Sequence, residues 1–154
     1  MNTVKINNEV GLTYPDGFSE MGAEELTRYF SSSENRWGAF NAEEHIILSV
    51  SWAKAGFMAD ADTMMIKKES RLCRSLLNYQ RIQSFKTKIA SKKSNARGVR
   101  FEYRVNDAKL VQVADLIIFK YKKNFYTITF ITRKTNAGSS RRDFEEVLKS
   151  ITLG

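Results

Sequence analysis

Few side chains in this sequence could do covalent or acid–base chemistry. His45 is its single histidine and Cys73 its single cysteine, so a paired-histidine metal site, a four-cysteine zinc site and an intramolecular disulfide are all excluded. Glu43, Glu44 and His45 are adjacent, but neighbouring residues point in different directions. A metal site built on them would need Asp60 or Asp62 brought in from afar, and a solvated turn leading into the strand at Ile46 is the simpler expectation. Cys73 is expected on the apolar side of a helix, where a cysteine acts as a small core hydrophobe. The chain has no glycine-rich phosphate loop, no His-Glu-x-x-His and no Gly-x-Ser-x-Gly, the spacings that place a phosphate cradle, a zinc pair or an activated serine. The expectation is a non-catalytic protein with no cofactor and no metal.

Charge carries the positive signal. The formal net charge is +8, but residues 1–64 hold four Lys or Arg against ten Asp or Glu, while residues 65–142 hold twenty against four. Either the two stretches neutralise each other in the fold, or the second forms a surface for an acidic partner. Lys67, Arg71 and Arg74 fall at i, i+4 and i+7, one stripe of a helix. The bland reading of that stripe is a solvated face complementing the C-terminal end of the helix dipole. The specific reading makes Lys67, Lys68, Arg71 and Arg74, with Lys92, Lys93 and Arg97 in the adjoining loop, contacts for an acidic protein segment through attraction and register.

Nucleic acid is the rival partner, because Phe85, Phe101, Tyr103, Tyr121, Phe125 and Tyr126 are interleaved with Lys and Arg, the raw material of a stacking surface. Arg97-Gly98-Val99-Arg100-Phe101 opens like an RNA-recognition signature, but Arg100 stands where a small residue belongs and Glu102 where valine belongs. Phe101 and Tyr103 also share parity with Val99 and Val105, which makes them core residues first. An unrecognised enzyme ranks third.

The elements that must hold these residues follow from periodicity. Val10, Leu12 and Tyr14 alternate before the turn Pro15-Asp16-Gly17, predicting a strand. Residues 23–30 read as a short helix with Leu26, Tyr29 and Phe30 on one side. Residues 46–54 read as a strand with Ile46, Leu48, Val50 and Trp52 on one face and small residues on the other. Asp60 or Asp62 can cap a helix that runs to about Asn78 and carries Met65, Ile66, Leu72, Cys73, Leu76 and Leu77 as its apolar stripe. An antiparallel meander follows: an irregular strand over 79–90, where Ile82 and Phe85 on opposite parity suggest a bulge or an end to the pairing, then strands over 99–105, 110–122 and 125–133. Residues 116–119 are apolar on both parities, so the sheet centre should be covered on both sides. Ser140 and Asp143 stand at capping-box spacing before a helix with Phe144, Val147, Leu148 and Ile151.

A strand ending in Tyr-Pro-Asp-Gly-Phe, within Leu12 to Phe18, and a C-terminal Phe-x-x-x-Leu-x-Ser-Ile over Phe144 to Ile151, with Phe101-x-Tyr103 and Tyr126 to Ile131 between, make the layout similar to the PsbP-like superfamily. That group includes the photosystem II extrinsic protein, Ran-binding Mog proteins and related bacterial domains. The resemblance implies an α+β fold, an antiparallel sheet sandwiched between helices (a PsbP-like α/β/α sandwich), and a binding rather than a catalytic role.

With 154 residues, 42% of them hydrophobic, one self-sufficient domain over 1–154 is expected. The longest uninterrupted apolar stretch, 116–119, is far too short to span a bilayer. Residues 1–11 lack the apolar run of a secretory signal, so a cytoplasmic setting is the expectation.

Overall fold

The computed structural model describes residues 1–91 and 94–154. The candidate contacts Lys92 and Lys93 therefore lie outside the described residues. The strands are β1 (Asn2–Ile6), β2 (Val10–Tyr14), β3 (Ser19–Glu20), β4 (Arg36–Asn41), β5 (Ile46–Lys54), β6 (Leu77–Ile89), β7 (Ser94–Val105), β8 (Leu110–Tyr121), β9 (Asn124–Arg133) and β10 (Thr152–Leu153). The helices are α1 (Ala23–Phe30), α2 (Ala61–Ser75) and α3 (Ala137–Lys149). Seven strands form one antiparallel sheet in the order β3-β4-β5-β9-β8-β7-β6, and β1-β2-β10 form a small second sheet.

The alternation of β5 sorts its side chains onto opposite faces of the large sheet. Ile46, Leu48 and Val50 join Ile117, Phe119, Tyr126, Ile128 and Phe130 on one face, where α3 and the small sheet cover them. On the other face α2 lays Met65 over Val99, Phe101, Leu116, Ile118 and Phe125. Strand β8 is buried without a break from Val113 to Phe119, as a strand covered on both sides must be. Each large apolar side chain so buried contributes about 1.5 to 3 kcal/mol relative to exposure. The α+β sandwich expected from the sequence is the observed architecture.

Several local expectations need correction. Strand β4 is hidden in sequence because Gly38 and Ala39 sit at its centre; a Cβ on Gly38 would stand 2.9 Å from the Leu26 Cδ2 of α1 and 3.1 Å from the Met21 Sδ, so those side chains would have to shift to admit one. Strand β1 carries only Val4 and Ile6 as apolar residues and is exposed over most of its length, and β10 is two residues long; both are held by pairing with β2. Ser140 does not cap α3: a 3-10 turn over Lys134–Asn136 starts the helix earlier, and the buried Ser140 hydroxyl donates instead to Thr132 Oγ1 at 3.2 Å. In α1 only Leu26 is buried, while Tyr29 of the expected stripe stays exposed. The irregularity expected before Ala90 is present as register shifts between Leu77 and Gln80 and between Arg81 and Gln83 of β6.

Asp60 caps α2, its Oδ1 accepting the Thr63 N–H at 2.8 Å. At the helix's far end Glu69 ties it to the edge strand, accepting from Tyr79 Oη at 2.6 Å and Arg81 Nε at 2.7 Å. The Arg81 hydrogen bond, opposed by burial and helped by Tyr79, holds the Glu69 carboxyl below its ordinary range. A depressed carboxylate stabilises the fold above the ordinary glutamate pKa and loses that contribution as pH falls through its folded value. Glu69→Gln should therefore remove about 1 kcal/mol of the stability that the wild type loses between neutral and roughly pH 3, a modest figure because Arg81 is half exposed. Urea unfolding at the two pH values measures it.

Candidate functional site

Helix α2 crosses the sheet on Met65 and on the partly buried Met64 and Leu72, a narrower contact than its sequence stripe suggests. Ile66 is 71% exposed and Cys73 is exposed. The expected placement of Cys73 in the core is thus overturned, and Ile66 and Cys73 stand with Glu69, Tyr79 and Arg81 around a shallow hollow beside β6. Strand β6 is the sheet's edge, so among the described residues no further strand lies beyond it to cover them.

The cations of α2 take distinct positions. Lys67, Arg71 and Arg74 are exposed, whereas Lys68 is half-buried. Lys68 faces the charges of Arg71 and of Arg36 on β4, and burial, reinforced by those two cations, lowers its pKa. Arg36 lies with its guanidinium 4.2 Å from the centre of the Phe30 ring, within cation–π range, and Nη1 approaches Ser49 Oγ at 3.4 Å. Burial lowers the Arg36 pKa as well. Among the described residues none of Arg36, Lys68 and Arg71 forms an ion pair with a carboxylate, and none of Lys67 and Arg74 does. Where such cations are drawn out of water, the charged forms are costly unless an anion compensates them.

Arg36 was not legible as a member of this group. It belongs to the acidic N-terminal stretch, and its strand escapes periodicity. The signal that could have found it is the pairing of β4 with β5, which sets Arg36 against Ser51 on the small-residue face of β5.

Arg97, the remaining described candidate, is at the other end of α2. Its Nε lies 3.2 Å from Asp62 Oδ1, and it lines an open cleft of about 770 Å³ with Asp60, Lys86, Lys88 and Lys120. The structure therefore divides the sequence candidates: Lys68 is half-buried within the field of Arg36 and Arg71, Lys67, Arg71 and Arg74 lie on the exposed surface of the same helix, and Arg97 serves the helix N-terminus.

The two charge stretches do not cancel by direct pairing. Among the described residues Arg97–Asp62 is the only ion pair joining residues 1–64 to residues 65–142. Other basic residues are satisfied within their own stretch, as where Arg100 and Arg141 approach the buried Asp115 at 3.4 and 3.6 Å.

The candidate stacking aromatics are largely unavailable. Phe101, Tyr103, Phe125 and Tyr126 are buried, and Phe101 and Tyr103 pack in the core beneath α2. Glu43, Glu44 and His45 are exposed on the β4–β5 turn. Among the described residues no three His, Cys, Asp or Glu side chains are grouped to hold a metal ion.

No protein-family profile matches the sequence, and no curated protein matches it. Solved structures do share its fold. LpqN of Mycobacterium tuberculosis, described as involved in cell envelope biogenesis, superposes with a TM-score of 0.71 at 9% identity over 94% of this chain and 82% of its own. Cyanobacterial PsbP from Synechocystis superposes with a TM-score of 0.70 at 12% identity over 99% and 92% of the two chains. The Saccharomyces cerevisiae Ran-binding protein Mog1p gives 0.62 at 9% identity over 99% and 96%. At such identities the likeness speaks of the fold alone, and the fold is the PsbP-like one that the sequence layout resembles.

Proposed function

We propose that this domain is a non-catalytic binding or accessory module that takes an acidic segment of a partner protein against α2. The observation that carries the reading is the half-buried Lys68 on the exposed cationic stripe of α2, within the field of Arg36 and Arg71, with no carboxylate paired to any of the three among the described residues. A partner carboxylate placed there would restore the missing counter-charge, while the exposed Lys67 and Arg74 would steer its approach. Mog1p, a protein with the same fold, is a Ran-binding protein, which is consistent with a fold that can serve protein recognition. Nucleic acid would use the same cations but would find few exposed rings to stack on.

Salt dependence separates the two. Duplex binding releases condensed counterions, so log affinity falls with log salt at a slope near −0.9 per phosphate contact, or about −0.7 on single strands. A folded acidic site has no such atmosphere. Fluorescence anisotropy with a labelled Glu/Asp-rich peptide should give saturable one-to-one binding with a shallow salt slope. Random oligonucleotides should bind no tighter than about micromolar near 0.15 M salt. Sub-micromolar, sequence-tolerant oligonucleotide binding, or no saturable peptide binding, would overturn the proposal.

A further inference from the structure

We propose that the turn between β5 and α2 docks this protein on an anionic lipid bilayer, inserting Phe57 and Met58 into the headgroup boundary. The two side chains are 94% and 85% exposed, the most exposed large apolar groups among the described residues. They are the central residues of a tight turn closed by the Ala59 N–H donating to the Gly56 carbonyl at 3.2 Å. Glycine, proline, asparagine, aspartate and serine dominate such positions because they suit the bend and the solvent. An adjacent aromatic and methionine there satisfy neither demand.

The exposure is built into the fold. Lys120 Nζ donates to the carbonyls of Gly56 and Ala59 at 3.3 and 3.0 Å, and the Ala55 N–H donates to the Lys123 carbonyl at 2.8 Å. These bonds fasten both ends of the turn to β8 and to the β8–β9 turn, so Phe57 and Met58 project from a braced apex.

The charge around the apex selects the surface it meets. Lys54, Lys122 and Lys123 are exposed at the same end of the sheet, where Lys54 pairs with Asn124. Lys86 and Lys88 are exposed on the cleft that Ala59 also lines. None of these five is in an ion pair among the described residues. Three carboxylates lie nearby, fewer than these lysines: Asp62 is paired with Arg97, Asp60 accepts the Thr63 N–H, and Glu9 accepts from Tyr126 and Asn124. A projecting apolar turn with lysines at the same end of the sheet and on the adjoining cleft has the anatomy of interfacial insertion, in which apolar burial adds to attraction for anionic headgroups. A protein interface would want a contiguous patch of roughly 800 Å² per partner with an apolar centre, and two side chains on a projecting turn do not supply one.

The test is co-sedimentation with vesicles at about 0.1 M salt, where surface charge is only partly screened. Vesicles of phosphatidylcholine containing phosphatidylserine should pellet the protein, and pure phosphatidylcholine should not. The double change Phe57→Ser and Met58→Ser should weaken binding by about tenfold or more with the melting temperature unchanged, and Phe57→Trp should bind and show blue-shifted emission on anionic vesicles. Reversing Arg71 and Arg74 to Glu, at the other end of α2, should leave vesicle binding in place, which keeps this result separate from the peptide site. No pelleting with anionic vesicles, undiminished binding of the double serine variant, or no emission shift would each overturn the proposal.

Discussion

Replacing Phe144 with alanine is expected to cost roughly 3 to 5 kcal/mol, the range for deleting a buried phenyl ring. Phe144 is 3% exposed and its ring meets that of Phe130 at 5.5 Å, which in turn lies 6.3 Å from Phe18. The ring is the contact by which α3 grips β9, with Val147 buried one turn later. Removing it leaves a cavity between a helix and a sheet that can collapse only partly. At about 2 to 4 °C per kcal/mol for a domain of this size, the melting temperature should fall by roughly 10 °C. Phe144→Leu, which keeps most of the volume, should cost far less. An unchanged melting curve for the alanine variant would remove α3 from the core.

The second large effect concerns binding. Reversing Arg71 and Arg74 to Glu should reduce affinity for the acidic peptide by about a hundredfold or more, since like charges opposed across an interface cost several kcal/mol. Both side chains are exposed and neither is in an ion pair among the described residues, so the melting temperature should stay within about 2 °C of wild type, as for surface changes away from special contacts. Arg36→Gln offers an independent check, because it removes one of the cations around Lys68 without touching α2. Weaker peptide binding in that variant extends the site from α2 to Arg36 of β4. Undiminished binding in the Arg71 and Arg74 reversal would remove α2 from the interface.

Much of this fold is legible residue by residue. The alternation in β5 and β7, the doubly apolar centre of β8, and the helical spacing of Phe144, Val147 and Ile151 each report local geometry, because strand and helix periods are properties of a few consecutive residues. Phe101 and Tyr103 were legible as core for the same reason, which is why nucleic acid ranked behind an acidic partner. The tight turn at Phe57 and Met58 carried no such mark: its central residue types argue against a turn, and the bond from the Ala59 N–H to the Gly56 carbonyl, braced by Lys120, is a tertiary outcome.

The sequence by itself determined which residues share a face, the uneven charge, the scarcity of catalytic groups and the order of elements behind the PsbP-like resemblance. Tertiary structure alone decided what each face meets. Met65 reaches the core and Ile66 does not, because a helix laid on a sheet buries the stripe over the strands while its flank overhangs the edge strand β6. Arg36 joins Lys68 and Arg71 from across the chain because β4 pairs with β5, and β1 and β10 exist because β2 offers them an edge. The physical reason is one of range. Periodicity is written in bonds between near neighbours, whereas burial, desolvation of a lysine and the meeting of three cations depend on which distant surfaces pack together.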